Sequence, residues 1–159
     1  IKQLFNDVDW GDLDYLLVDL PPGTGDIQLS LCQSFTLKGA VIVSTPQEIS
    51  LIDVRKSINM FKKVNVPIIG ILQNMSFFES KGNKNYIFGK DGVSLEAKKQ
   101  NLNLLGEIPI LPKISESGDK GKPLTFDQKS EVFKIFEKIA QKTIDAANKI
   151  KIKDVDISS

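Results

Sequence analysis

Short runs of consecutive apolar residues alternate along the chain with longer stretches in which apolar residues recur every third or fourth position. Tyr15-Leu16-Leu17-Val18, closed by Asp19, is the first run, and Ala40-Val41-Ile42-Val43 is the second. Ile68-Ile69-Gly70-Ile71-Leu72 follows, entered through Pro67, and Leu104-Leu105-Gly106-Glu107-Ile108 is a weaker fourth. Unbroken runs, rather than alternating ones, predict strands covered on both faces, as in a parallel sheet. Enough residues separate them for a helical crossover each time.

The intervening stretches predict helices. Thr45 as cap, Pro46 at the first helical position and Glu48 as partner in a capping box predict one start. Leu51, Val54, Ile58 and Phe61 then form a stripe at helical spacing. Asp26 predicts a cap for a helix carrying Ile27, Leu31 and Phe35. Thr125 and Gln128 predict a capping box for the last helix. That helix places Val132, Phe136, Ile139 and Ala147 near one face and runs to about Lys149. Leu4, Phe5 and Val8 share a helix face at the start. Residues 79–92 and 115–123 are polar and glycine-bearing and predict irregular segments. Residues 151–159 predict a fraying end. One α/β domain over residues 1–149, followed by a polar tail over 150–159, accounts for the pattern.

In an open parallel sheet, ligands sit beyond the carboxyl ends of the strands. The first run ends in Asp19-Leu20-Pro21-Pro22-Gly23-Thr24-Gly25-Asp26. A carboxylate there can hold Mg²⁺ through its waters, and a glycine N–H can approach a terminal phosphate with no Cβ in the way. The same residues would also make a rigid turn whose Asp26 merely caps a helix. After the third run, Asn74 offers an amide donor and acceptor that match the edge of adenine, or else it only makes a turn. After the fourth, Pro109 can border a base or simply end a strand. Asp53 and Arg55 follow the second run. Arg55 is the only arginine and suits bidentate anion contact, but a helix-face salt bridge explains it as well.

Composition narrows the chemistry. Among 159 residues, 21 basic and 20 acidic side chains leave a net charge of +1, which gives no global reason for a nucleic-acid or anionic-membrane partner. No apolar segment approaches the length of a membrane span. Histidine is absent and Cys32 is the only cysteine. No Ser-His-Asp or Cys-His triad, histidine or multi-cysteine zinc site, or internal disulfide can be built from these residues. A lone thiol suits a reducing cytoplasm. Cys32 falls within a predicted helix, where a cysteine usually acts as a small buried hydrophobe.

Taken in order, the strand-end blocks resemble the Mrp/ApbC iron–sulfur carrier ATPases of the MinD/ParA-like branch of P-loop NTPases. The likeness runs from Asp14-Tyr15-Leu16-Leu17-Val18-Asp19-Leu20-Pro21-Pro22-Gly23-Thr24-Gly25-Asp26 through Ser44-Thr45-Pro46-Gln47 and Asp53-Val54-Arg55-Lys56. It continues through Gln73-Asn74-Met75-Ser76 and Gly106-Glu107-Ile108-Pro109 to Glu116-Ser117-Gly118-Asp119-Lys120-Gly121-Lys122-Pro123. The resemblance implies a P-loop NTPase-like fold, a mostly parallel sheet flanked by helices, with this chain as the C-terminal portion of one ATPase domain. It implies that Asp19 is the acid that positions Mg²⁺ through water, and that Gly23 contacts the γ-phosphate of ATP. Pro21 and Pro22 would lie in the nucleotide-sensing turn, Asn74 would read adenine, and Pro109 would line the base. It further implies a homodimer carrying a [4Fe-4S] cluster to apo iron–sulfur proteins.

Two features depart from that pattern. No Gly-rich run ending in Lys-Ser/Thr occurs in the chain, so the resemblance places the P-loop before Ile1, and residues 1–159 alone are expected to bind ATP poorly and hydrolyse none. The family's Cys-x-x-Cys pair after Asn-Met-Ser-x-Phe is also missing, because the stretch reads Phe77-Phe78-Glu79-Ser80-Lys81-Gly82-Asn83-Lys84-Asn85-Tyr86. An iron–sulfur assembly factor is therefore the first functional expectation, and a MinD/ParA-like positioning or scaffold protein without a cluster is the alternative. A nucleotide-binding protein without turnover is a third. Asp154 and Asp156 interrupt any basic amphipathic helix at the end, which weighs against membrane positioning.

Overall fold

The computed structural model describes residues 2–21 and 23–151; Ile1, Pro22 and residues 152–159, which make up most of the expected tail, lie outside the described residues. In chain order the elements are α1 (Lys2–Asn6), α2 (Asp26–Ser34), β1 (Ala40–Ser44), α3 (Glu48–Lys63) and β2 (Ile68–Gln73). Next come the hairpin strands β3 (Phe78–Ser80) and β4 (Asn83–Asn85), then α4 (Gly92–Gln100) and β5 (Leu104–Glu107). α5 (Pro112–Asp119), a 3₁₀ turn (Leu124–Phe126) and α6 (Glu131–Asn148) complete the chain.

Three of the four apolar runs become strands. They form a parallel sheet in the order β1-β2-β5. Parallel pairing needs a crossover, and α3 supplies the first while the hairpin and α4 supply the second. The stripe on α3 packs as its spacing requires: Leu51, Val54, Ile58 and Phe61 are buried against Ile42 of β1 and Ile71 of β2, with Val93 and Ala97 of α4 beside them. α6 covers the other face, where Ala147 meets Ile69 and Leu105. β2 is therefore buried along nearly its whole length, as an unbroken apolar run predicts. β1 differs, because only Ile42 and Ser44 are buried and Val41 and Val43 face outward.

Tyr15-Leu16-Leu17-Val18 does not form the predicted strand. It carries no sheet ladder, and Leu17 is 88% exposed. An apolar run becomes a strand only against a neighbour that pairs its backbone and covers its side chains. β1 is the edge strand on this side, and among the described residues no ladder joins it to the run.

The helix starts also shift. α3 begins at Glu48 after Gln47, with no side-chain cap; the Thr45 hydroxyl instead meets the Ser50 hydroxyl at 2.8 Å, and Glu48 turns to Arg55. α6 is capped by Ser130, whose Oγ accepts from the Phe133 N–H at 3.0 Å, while Thr125 lies in the 3₁₀ turn. Asp26 is the first residue of α2 rather than its cap, placed where a carboxylate favours the helix dipole. Within α2 Leu31 is buried, but Ile27 is exposed and Phe35 lies past the end, stacked on Phe5. Both stretches expected to be irregular contain regular structure, the β3–β4 hairpin in one and most of α5 in the other.

Candidate functional site

The carboxyl ends of β1, β2 and β5 meet at one corner, and hydrogen bonds tie them together there. Asn74 N–H donates to the Ser44 carbonyl at 2.7 Å, joining the ends of β1 and β2. Ile108 N–H donates to the Gln73 carbonyl at 2.8 Å, joining β2 to β5. Past the strands, the Ser76 N–H and hydroxyl both donate to the Ile108 carbonyl, at 2.9 and 3.0 Å, and Ile110 N–H donates to the Phe77 carbonyl at 2.7 Å. Asn74 and Pro109 are thus held on adjoining, mutually bonded segments, both half-buried. Asn74 sits above this bonding with Met75 beside it in the left-handed region at φ 52. Its Oδ1 accepts from the Met75 N–H at 2.9 Å, which fixes the side chain and leaves the amide NH₂ pointing to no protein acceptor among the described residues.

α4 closes the corner from the side. The Gln73 side chain is buried, and its Oε1 accepts from the Val93 N–H at the start of α4. Gly92 lies directly against the Pro46 carbonyl in the turn after β1. The Ser44 and Ser76 hydroxyls and Gln73 Oε1 are all bonded, and among the described residues no fully buried side-chain nitrogen or oxygen lacks a partner, so burial of these residues costs little.

The Asp19–Asp26 turn is built separately. Pro21 offers its carbonyl to the Gln28 amide at 2.7 Å, so the turn leans on the first turn of α2. Gly23 has φ 101, a conformation that side chains resist. Asp19 is exposed. Thr24 and Leu29 face Lys56, Asn59, Met60 and Lys63 of α3 across a shallow groove. No hydrogen bond among the described residues joins this turn to Asn74 or Pro109. The structure therefore brings together two of the sequence-predicted site residues and holds Asp19, Pro21 and Gly23 on a second element, while Pro22 lies outside the described residues.

Arg55 forms the expected helix-face salt bridge, to Glu48, and extends it to a second helix. It bridges Glu48 on its own helix and Glu96 of α4, reaching the latter through Nη2 at 2.9 Å and Nε at 3.0 Å. Glu96 is buried, and the Arg55 guanidinium holds its carboxyl below the usual carboxylate range, with a further hydrogen bond from Gln100. Asp53 pairs with Lys56 at 3.1 Å. Sequence reasoning missed Gln73, Ser76 and Glu96. The only signal for them was a polar residue within or just after an apolar run, or one facing Arg55 from another helix.

A parallel sheet faced by helices, with a polar corner at its strand ends, is the architecture of a nucleotide-binding α/β domain. The solved structures agree: a nucleotide-binding protein of Archaeoglobus fulgidus in complex with ADP superposes with a TM-score of 0.72 and 39% identity, over 85% of this chain and 56% of that one. The MinD cell division protein of Aquifex aeolicus shares the fold, with a TM-score of 0.65 and 20% identity, over 96% of this chain and 60% of its own. Residues 1–144 match the ParA family model described as NUBPL iron-transfer P-loop NTPase, and the chain belongs to that family. The iron–sulfur cluster transfer protein NUBPL of mouse is 51% identical over 130 residues, 80% of this chain and 41% of that protein. The chain thus spans about two-fifths of the length of that relative. No helix among the described residues is long and apolar enough to cross a membrane.

Proposed function

We propose that this protein is a nucleotide-dependent factor in iron–sulfur cluster assembly and transfer, acting as an ATP-hydrolysing homodimer in the cytoplasm and serving apo iron–sulfur proteins. The observation that carries the reading is the corner at the ends of β2 and β5, where Asn74 and Pro109 lie on adjoining, hydrogen-bonded segments in a chain of the iron-transfer P-loop family. Asn74, held through its own oxygen, presents an amide N–H to a ring nitrogen of adenine, and the Pro109 segment borders the base. Asp19 holds Mg²⁺ through water, and the Pro21-Pro22-Gly23 turn presents backbone to the terminal phosphate. Mg²⁺, when bound, neutralises charge developing on the phosphate oxygens. An exposed carboxylate and a left-handed glycine on one short turn fit that task, because neither is committed to the core.

The test is nucleotide binding and turnover by the full-length protein. Asn74→Ala should weaken ATP binding about tenfold, the value of one lost hydrogen bond of about 1.4 kcal/mol, and should narrow the preference for ATP over GTP. Asp19→Asn should keep ATP binding and lose turnover. An Asn74→Ala protein with unchanged affinity and unchanged base preference would refute the assignment of the corner.

A further inference from the structure

The hairpin after the corner is built to hold two side chains side by side at its tip. Phe78 pairs with Asn85, Glu79 with Lys84, and Ser80 with Asn83. Lys81 and Gly82 between them both have positive φ, 52 and 75, which is the two-residue turn that suits the twist of a hairpin. Directly opposed residues on such a pair carry Cβ atoms about 5 Å apart. Ser80 and Asn83 therefore oppose each other on the ladder at the sequence spacing of a Cys-x-x-Cys pair, exposed to solvent, with open space around the Gly82 turn.

The hairpin is rooted firmly. The Phe77 carbonyl accepts from Ile110, the Phe77 ring meets Tyr86 edge-on at 6.3 Å, and the Lys84 ammonium sits 4.2 Å from the Phe77 ring centroid. What is missing is the donor chemistry. Cluster iron is held by cysteine thiolates, with histidine as an occasional substitute. A serine hydroxyl and an asparagine amide are neither. The chain has no histidine, and its one cysteine is on α2. Cys32 is half-buried and packed against the α3 core, and burial pushes its thiol up, away from the thiolate form. Among the described residues no group of three metal-binding side chains gathers anywhere.

We propose that this hairpin keeps the frame of a two-thiolate tip without its donors, so that any cluster the protein handles is held by thiolates from outside these 159 residues. The inference rests on the proposed role in cluster transfer, but its test is separable from that role. The full-length protein is reconstituted anaerobically with ferrous iron and sulfide, desalted, and assayed for bound iron, sulfide and thiolate-to-iron absorbance. Cys32→Ser and Ser80→Ala/Asn83→Ala variants should hold the same iron as the natural protein, however much that is. A Ser80→Cys/Asn83→Cys variant should gain iron and sulfide, and its dimer fraction should rise as the new thiols share a cluster. Loss of iron in Cys32→Ser or in the alanine pair would overturn the proposal, because it would place a ligand in these residues. A folded double-cysteine variant, checked by circular dichroism, that gains no iron would overturn it too, because the frame would then be absent. ATP binding measured on the same preparations reports on the proposed function alone.

Discussion

Replacing Gly92 by alanine should unseat α4 from the corner. An alanine Cβ at that position would overlap the Pro46 carbonyl oxygen and approach the Pro46 carbonyl carbon to 3.0 Å and its Cα to 3.2 Å. Carbon–oxygen contacts are comfortable only beyond about 3.3 Å. The obstructing atoms are all backbone, so no rotamer change relieves the overlap, and either the Pro46 turn or the start of α4 must move. Overpacking of this kind costs about 1–3 kcal/mol. Alanine's better helix propensity returns up to about 1 kcal/mol, and less at a first helical residue. The net loss should be about 1–2 kcal/mol, which lowers the urea midpoint of the full-length protein by about 0.5–1 M at a slope of about 2 kcal/mol/M. The Val93 N–H, bonded to Gln73 Oε1, should also exchange faster with solvent. Gly118→Ala in α5 is the control, because a Cβ there meets nothing within 4 Å. It should leave the midpoint unchanged or raise it. A Gly92→Ala midpoint equal to or above that of Gly118→Ala would refute the steric argument.

Other outcomes follow from the same packing. Ile58 is 0% exposed in the α3 core, and Ile58→Ala should cost about 2–5 kcal/mol, read as a lower urea midpoint with little change in slope. Ser130→Ala should cost about 1 kcal/mol by removing the acceptor for Phe133 N–H, while Thr125→Ala should cost less because Thr125 caps nothing. Arg55 depresses the Glu96 pKa in the folded state, so this pair's contribution is fully present above the unfolded carboxylate pKa, about 4.3, and is lost as pH falls through the lower folded value. Urea midpoints should therefore fall on acidification more steeply in the natural protein than in Glu96→Gln; identical pH slopes would contradict the assignment.

The sequence made β2 and α3 plain because their signals are local and redundant. Ile68–Leu72 is apolar throughout and lies under two layers, and the α3 stripe repeats four times on one face. The run at Tyr15–Val18 looks the same as a sequence and behaves differently in the structure, because strand formation depends on a neighbouring edge that no residue within the run can reveal. The caps failed for a related reason. Thr45 and Thr125 have the right chemistry, but Ser50 and the 3₁₀ turn claim them, and Ser130, five residues past Thr125, becomes the true cap. Asn74 and Pro109 stand out as candidate site residues because they follow strands directly. Gln73 and Ser76 do not, since their role comes from β5 and α4, which pass beside them 20 to 32 residues later in the chain.

That dependence explains why buried polar side chains collect at one end of the sheet. Ser44, Gln73 and Ser76 lie at or just past the ends of β1 and β2, and each is buried with its side-chain oxygen bonded. An apolar corner of the same shape would pack as well but would not fix one register between the strand ends and α4. Directional bonds from Gln73 and Ser76 do so, and they hold Asn74 and Pro109 at one separation without either residue being committed to the core. The Asp19–Asp26 turn and the hairpin tip carry few such ties and stay exposed. The fold thus separates a hydrogen-bonded corner from two more accessible elements. Among the described residues no hydrogen bond ties the Asp19–Asp26 turn to the corner, whereas the hairpin is joined to it through the Ile110 N–H and the Phe77 carbonyl.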